Sequence, residues 1–310
     1  MKTKQTFVYG LAAVALTLAF TALSLTGCGD GSGGKKGPVW LVETVRVNGG
    51  SFQMGKNGDG TANNATPVHE VTLSAFYIGK YEVTQKQWHE VMGTTIEQQN
   101  EISDYQGLDG VGDNYPMYHV NWYDAVEFCN KLSEKEGLTP YYTIDKTTSD
   151  PNNTNDSDTI KWTVTTNTTA KGWRLPTEAQ WEYAAKGGAS ASDPYKIYSG
   201  SDTVGDIAWY SGNNGASGEA NYGAKQVGTK AANELGLYDM SGNVFEWCWD
   251  WYGAYQDEVQ TDPAGASSGS YRVSRGGSWS YSAGIARSAL RSIDNPNNRD
   301  IYLGFRVLRP

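Results

Sequence analysis

Three stretches of this 310-residue chain carry a helix start signal followed by an apolar stripe, and glycine follows each within a few turns. Thr84-Gln-Lys-Gln87 is a capping box, in which hydroxyl and amide side chains satisfy backbone donors that the first turn leaves open. Trp88, Val91 and Met92 follow on one face, and Gly93 is the stop. Asn121 precedes Ala125, Phe128, Cys129 and Leu132, the spacing of one helical face, which ends before Gly137. Thr177-Glu-Ala-Gln180 is a further box, opening a face of Trp181, Ala184 and Ala185 that Gly187-Gly188 closes. Such stripes are core faces, and Cys129 within one reads as a small buried hydrophobe. Val68 to Leu73, Phe76 to Ile78, Lys161 to Thr165 and Phe305 to Leu308 read as short strands. The rest is loop, including polar Thr147 to Ser157 and a Gly/Asn/Ser-rich run from Gly200 to Gly228. No internal repeat and no proline-rich hinge divides the chain. The reading is one α+β domain with little regular structure, whose core area comes from 11 Trp and 20 Tyr.

The N-terminus is set apart from this domain. Lys2 and Lys4 precede an apolar run from Leu11 to Phe20 that continues through Ala22, Leu23 and Leu25. A charged start, an apolar middle and small residues after it form the layout of an export signal, too short for a comfortable membrane span. Leu25-Thr26-Gly27-Cys28 resembles the bacterial lipobox, which implies a lipid on Cys28; the alternative is an incidental thiol. Residues 1–27 are therefore expected to be a lipoprotein signal and 28–38 a flexible glycine-rich tether. Residues 39–310 are expected to be the domain, placed in the cell envelope at the outer membrane or cell surface.

Composition excludes several functions. The formal charge of −9 becomes more negative once Lys2 and Lys4 leave, and an acidic body lacks the basic patch that a nucleic acid demands. Beyond Cys28 only Cys129 and Cys248 remain, enough for one bridge but not for a disulfide framework. His69, His89 and His119 stand apart, without the spacing of a zinc or iron site. Gly265-Ala-Ser-Ser-Gly269 has the spacing of a hydrolase nucleophile turn, but its flanks are turns and no histidine follows, so it reads as a surface loop. Asp150 to Asp158 is acidic and Asn-rich, yet lacks the glycine and terminal Glu of a calcium loop and reads as solvated.

The terminal residues carry the contact chemistry. Arg275-Gly-Gly-Ser-Trp279 and Leu303-Gly-Phe-Arg306 frame a segment with no Cys, His, Lys or Glu. Between the frames stand Ser280, Tyr281, Ser282, Ile285, Leu290, Ser292, Ile293, Asp294, Asp300, Ile301 and Tyr302. Tyr and Ile supply contact area, while Ser and Asp supply adaptable hydrogen bonds. Two readings stand side by side here: a binding surface, or an irregular closing strand whose side chains fill a core.

Longer motifs carry a family resemblance. Gly236-Leu-Tyr-Asp-Met-Ser-Gly-Asn-Val-Phe-Glu-Trp247, Gly172-Trp-Arg-Leu-Pro-Thr-Glu-Ala-Gln-Trp-Glu-Tyr-Ala-Ala185 and Arg275-Gly-Gly-Ser278 together resemble the formylglycine-generating-enzyme family. Gly49 to Gly55, Tyr81-Glu-Val-Thr84, Pro116 to Trp122 and Leu303 to Arg306 extend it, in order, over nearly everything from residue 40 onward. The resemblance implies a C-type-lectin-like fold of small twisted sheets, a few helices and much loop. The family's enzymes oxidise a sulfatase cysteine with two reactive thiols placed just after the R-G-G-S element. Here that stretch is Trp279 to Ser288, with no thiol, and Val307 stands where the family has a cysteine after G-F-R. Thiolate chemistry has no substitute among other side chains. The related sulfoxide synthases add a histidine-bearing helical domain that this chain lacks.

Within the family, the terminal segment resembles the variable proteins of diversity-generating retroelements, treponemal variable lipoproteins in particular. There, adenine-containing codons, mostly Asn, are rewritten between the two frames. Asn-Pro-Asn-Asn-Arg at 295–299 looks like an unmutated remnant, and the Ser, Tyr, Ile, Leu and Asp residues are reachable from Asn codons. Gly276, Gly277, Trp279, Ala283, Gly284, Ala286, Arg287, Ala289, Arg291, Pro296, Gly304 and Phe305 would be the fixed frame. The expectation is a monomeric, non-catalytic lipoprotein whose variable segment, about residues 275–306, binds a protein or glycan on a host or neighbouring cell. The alternatives are a formylglycine-type oxidase and a structural envelope lipoprotein. No organic cofactor is expected. The resemblance implies a structural calcium ion at Asn243 and Glu246; otherwise Asn243 caps a turn and Glu246 pairs with an arginine such as Arg275.

Overall fold

Each capping box closes as its spacing predicts. The computed structural model describes residues 40–56, 63–104, 106–191 and 195–310. The signal, the tether and Cys28 lie outside the described residues. In α1 (Gln85–Met92) the Thr84 hydroxyl accepts from the Gln87 N–H while the Gln87 amide accepts from Thr84, and Gly93 ends the helix at φ 78°. A box of the same kind at Thr95 and Gln98 opens α2 (Ile96–Glu101), a helix the apolar pattern did not announce because its exposed face is all polar. Asn121 caps α3 (Trp122–Lys135), and its stripe of Ala125, Phe128, Cys129 and Leu132 is fully buried. Thr177 caps α4 (Glu178–Ala185). Here the expected single apolar face is corrected: all eight residues of α4 are buried, Glu178 and Glu182 included. One further turn, α5 (Val204–Ile207), interrupts the glycine-rich run.

Four small sheets surround these helices. The strands are β1 (Thr44–Val47), β2 (Gly50–Met54), β3 (His69–Leu73), β4 (Phe76–Gly79), β5 (Tyr142–Ser149), β6 (Trp162–Thr166), β7 (Phe245–Trp251), β8 (Gln260–Thr261), β9 (Arg272–Arg275), β10 (Arg291–Asp294), β11 (Leu303–Gly304) and β12 (Leu308–Arg309). The orders are β1-β4-β12, β2-β3-β8, β5-β6 and β10-β9-β7-β11. The last sheet positions the terminal segment: β9 leads into it, β10 lies within it, and β11 pairs parallel to β7 at Phe245 and Glu246. The expected strand at Phe305 to Leu308 is corrected: only Leu308 is in a strand, β12, and the residues before it link β11 to β12. Phe305, Arg306 and Val307 cross from the β7 sheet to β4, since Arg306 turns inward to Glu246 and the Val307 carbonyl accepts from the Gly79 N–H.

Aromatic rings fill the space between these layers. Trp88 stacks on Phe128 with planes 4° apart, and Phe305 packs edge-on to both. A second cluster gathers Phe52, Trp181, Tyr183 and Val273. Each cluster holds one free cysteine, Cys129 in the first and Cys248 in the second, so no bridge joins them. The 150–158 loop corrects another expectation. Instead of being solvated, Asp150, Asn153, Asn155 and Asp158 are buried. Asp158 takes hydrogen bonds from the Tyr123 hydroxyl, the Asn153 amide and the Ile160 N–H, so the loop satisfies its own polar groups. No helix among the described residues is long and apolar enough to cross a membrane.

Candidate ligand-contact surface

Four buried or half-buried arginines bolt the terminal segment to the scaffold. Arg275 is fully buried, pairs with Glu182 of α4, and donates to the carbonyls of Ser288, Ala289 and Leu290. Arg291 holds Glu178 through two bonds of 2.7 Å and reaches the Asn64 and Gly253 carbonyls. Arg299 grips both carboxylate oxygens of Asp124 and donates to Gln99. Arg306 holds Glu246 at 2.6 and 2.7 Å and donates to the Gly79 and Tyr238 carbonyls. Gly277 completes the fixing: it sits at φ 73°, and a Cβ there would fall 2.9 Å from Ala286. The backbone path is thus set by charges and close contacts that do not involve the expected contact side chains.

Those side chains stand between the bolts. Ser280, Tyr281, Ser282 and Ile293 are exposed, and Ile285, Leu290, Ser292, Asp294, Ile301 and Tyr302 are half-buried. Asp300 is the exception at 4% exposure. Its carboxylate accepts the Ile301 N–H at 2.7 Å and the Tyr302 hydroxyl, so it orients the neighbouring ring. Of the expected frame, Gly276, Gly277, Trp279, Ala286, Ala289, Arg291, Pro296, Gly304 and Phe305 are buried, and Ala283, Gly284 and Arg287 are half-buried. Arg299, read from the sequence only as part of a remnant, acts as a bolt; its partner Asp124 is marked only by its place in the α3 cap.

The centre of this surface is aromatic. Tyr281 and Tyr302 meet edge-to-face at 5.1 Å, and both rest on Phe245, the first residue of β7. Burial and bonds to Tyr281 and Asp300 hold the Tyr302 phenol above its ordinary pKa. To one side lies Asp294, pushed up to about 6 by burial and by the charge of Asp300, against a hydrogen bond from Asn298. The 209–213 loop edges the other side, where the Ser211 N–H donates to the Tyr281 carbonyl. Ser103 and Gly107 border the segment here: the Ser103 hydroxyl donates to the Arg299 carbonyl, and a Cβ on Gly107 would touch Ile301. Hydroxyls, rings and acids converge here with no thiol, since residues 275–310 contain no cysteine. Burial raises the pKa of both Cys129 and Cys248, which keeps them as thiols.

Asn243 and Glu246 do not fit a calcium ion as they are arranged. Glu246 gives both oxygens to Arg306 and takes the Trp181 indole N–H at 2.7 Å. Asn243 accepts the Lys225 N–H and donates to Glu82. Among the described residues no group of three His, Cys, Asp or Glu side chains is placed to hold a metal. The pairing of Glu246 with Arg275 is corrected as well, because Arg306, sixty residues on in the chain, reaches it instead. Sequence reading missed Glu82, which accepts from Asn243 and from the Val244 N–H inside this network.

A loop-rich α+β scaffold carrying these bolted motifs is of the formylglycine-generating-enzyme type. The chain belongs to the family described as the sulfatase-modifying factor enzyme 1-like domain, whose profile matches residues 35–310. The solved structure of Treponema denticola variable protein 1 is similar at a TM-score of 0.70 and 36% identity, covering 86% of this chain and 95% of that one. The chaperone protein LppX of Paenibacillus barcinonensis is 43% identical over 278 residues, 86% of this chain and 89% of that protein. The formylglycine-generating enzyme of Mus musculus is 27% identical over 332 residues, 87% of this chain and 75% of the enzyme.

Proposed function

We propose that this chain is a non-catalytic binding protein that presents residues 280–302 as a replaceable contact surface and is held to the cell envelope by a lipid on Cys28. The observation that carries this reading is the separation within one segment: three of the four bolts are buried in the scaffold and Arg299 is half-buried on Asp124, while ten of the eleven contact positions face solvent or lie half-buried at the surface. Loop positions on a rigid scaffold change chemistry without disturbing a core. The likeness to a variable protein supports it, as does the lack of any thiol where the family's oxidases react. The ligand class is a protein or glycan on a neighbouring or host cell.

Replacing Tyr281, Ile293 and Tyr302 together by Ser is expected to abolish binding to such cells while lowering the melting temperature by only a few degrees. Unchanged binding would leave a structural envelope role instead. A copper-dependent aldehyde formed on a sulfatase-motif peptide would return the chain to the oxidases. The retroelement origin requires an adenine-rich near-copy of the terminal coding segment beside a reverse transcriptase gene.

The similarity to a protein named as a chaperone favours a second reading, in which the same surface holds an unfolded polypeptide. Suppression of reduced insulin B-chain aggregation by the parent chain, lost in the triple variant, would select it.

A further inference from the structure

A cleft of about 290 Å³ opens beside the start of α4, lined by His69, Asp250, Trp251, Tyr255, Gln256 and Pro263 among others. Two buried acids form its floor, and the protein treats them differently. Glu178 is fully satisfied: Arg291 holds both its oxygens, and the Tyr255 hydroxyl donates to it at 3.2 Å. Asp250 is only 3% exposed, yet the only hydrogen bond that its carboxylate receives among the described residues is the Glu178 N–H at 2.8 Å. It has no ion pair there. The nearest guanidiniums make their hydrogen bonds elsewhere and none bonds Asp250, although Arg272 Nε and Arg174 Nε are left without a partner. Arg272 donates to the Trp249 carbonyl and lies 3.4 Å over the Trp251 ring, Arg174 donates to Gln180, and Arg291 is spent on Glu178.

Arg291 and Arg272 act on Asp250 only from a distance, and a buried carboxylate without a cation in contact is costly, so it draws either a proton or a cation. Burial first, and then the charge of Glu178, push the Asp250 acid up to about 7. Gly265 sits at φ 82° in the 263–266 turn, and a Cβ there would fall 2.5 Å from the Asp250 Cβ. A glycine thus lets this turn lie against Asp250, and Gln256 and Gln260 also line the cleft. Apolar lining comes from Met54, Ala254, Pro263 and Trp251.

We propose that this cleft binds a small organic cation, a primary ammonium on a short apolar stem, with Asp250 as its counter-ion. The ammonium meets the Asp250 carboxylate, the stem lies against Met54, Ala254 and Pro263, and the side-chain amides of Gln256 and Gln260 line the mouth. A divalent metal is the poorer fit, because Glu178 has no oxygen left to give and an isolated carboxylate does not make a cage. The site is independent of the contact surface, although β10 contributes Arg291 to its floor.

Titration of the full chain with n-butylammonium chloride at pH 8, followed by NMR shifts of the Trp251 indole and the Gln256 and Gln260 amides, tests this. A saturable response is expected, with n-butanol inert at the same concentration. Affinity should weaken about tenfold at pH 6, where Asp250 carries a proton about nine times in ten. The other charged groups facing Asp250 are Glu178, Arg291, Arg272 and Arg174, and His69 lies across the cleft, so an Asp250→Asn variant must remove that pH dependence along with at least tenfold of the affinity. Ala254→Phe, at the exposed rim, should block the site without touching Asp250, which guards against a variant that merely unfolds. Equal binding of n-butanol, unaltered binding to Asp250→Asn, or no saturation by 100 mM would overturn the proposal. Nα-acetyl-lysine-N-methylamide separates the sources: its binding assigns the cation to a lysine side chain of a partner, and its exclusion while butylammonium binds assigns a free amine.

Discussion

Arg306 shows what a single buried charge does in this protein. It is the only cation that Glu246 pairs with among the described residues; burial, and then the charges of Asp239 and Glu246, raise the Glu82 acid, while burial and the charge of Glu246 push Asp239 up to about 6. Arg306→Met would strand these acids in the interior. A loss of about 3–5 kcal/mol at pH 7 is expected from urea unfolding, the range for breaking a buried pair on one side. Part of that loss should return at pH 5 as the acids take up protons. Asp250 makes a second residue-scale prediction. Its folded pKa of about 7 lies above its unfolded value, so the folded state binds more protons between roughly pH 4 and 7, and this group's contribution is present at low pH and lost as pH rises. Asp250→Asn should therefore gain stability relative to the parent between pH 5 and pH 8, read by urea midpoints; a constant difference would mean that Asp250 does not titrate there. At this scale the sequence was hard to read. Asn243 and Glu246 stand out by motif, but what they bind depends on Arg306 and Glu82, which the fold brings in from sixty and about 160 residues away.

The elements divide by the range of the interactions that make them. Capping boxes join residues three apart, so the boxes at Thr84 and Thr177 and the cap at Asn121 were visible before any tertiary contact. Thr177→Ala should cost about 1 kcal/mol in urea unfolding, and Thr177→Ser much less, since the hydroxyl accepting the Gln180 N–H is what matters. The burial of α4 on every side was not visible, because Glu178 and Glu182 read as solvent-facing until Arg291 and Arg275 arrive to neutralise them. The apolar run at Phe305 to Leu308 likewise reads as a strand, although only Leu308 lies in one. Its apolar residues do not reveal that Arg306 must leave the sheet line to reach Glu246. In the 150–158 loop, the Asn and Asp residues that suggest solvation are the ones that satisfy one another inside.

At the scale of the whole molecule, the terminal segment combines a backbone held by buried contacts with exposed and half-buried side chains, which the proposed function treats as changeable. Converting Ser280, Tyr281, Ser282 and Ile293 together to Asn should move the melting temperature by only a few degrees, because these positions are exposed. Gly277→Val should prevent folding or lower the melting temperature by more than ten degrees, since its φ of 73° and the nearness of Ala286 admit no side chain. Circular dichroism melts of the two variants compare them directly, and equal losses would show that the path depends on the contact side chains after all. The local rules of helix capping, the aromatic supply for a loop-rich core and the absence of thiols after Arg275-Gly-Gly-Ser278 are properties of the sequence by itself, because each rests on neighbours in the chain or on residue identity. Which buried acid meets which arginine, why Asp300 accepts the Tyr302 hydroxyl, and why Asp250 is left without an ion pair were decided only by the tertiary structure. Those outcomes depend on electrostatic partners that are distant in sequence and adjacent only once the sheets and α4 have packed.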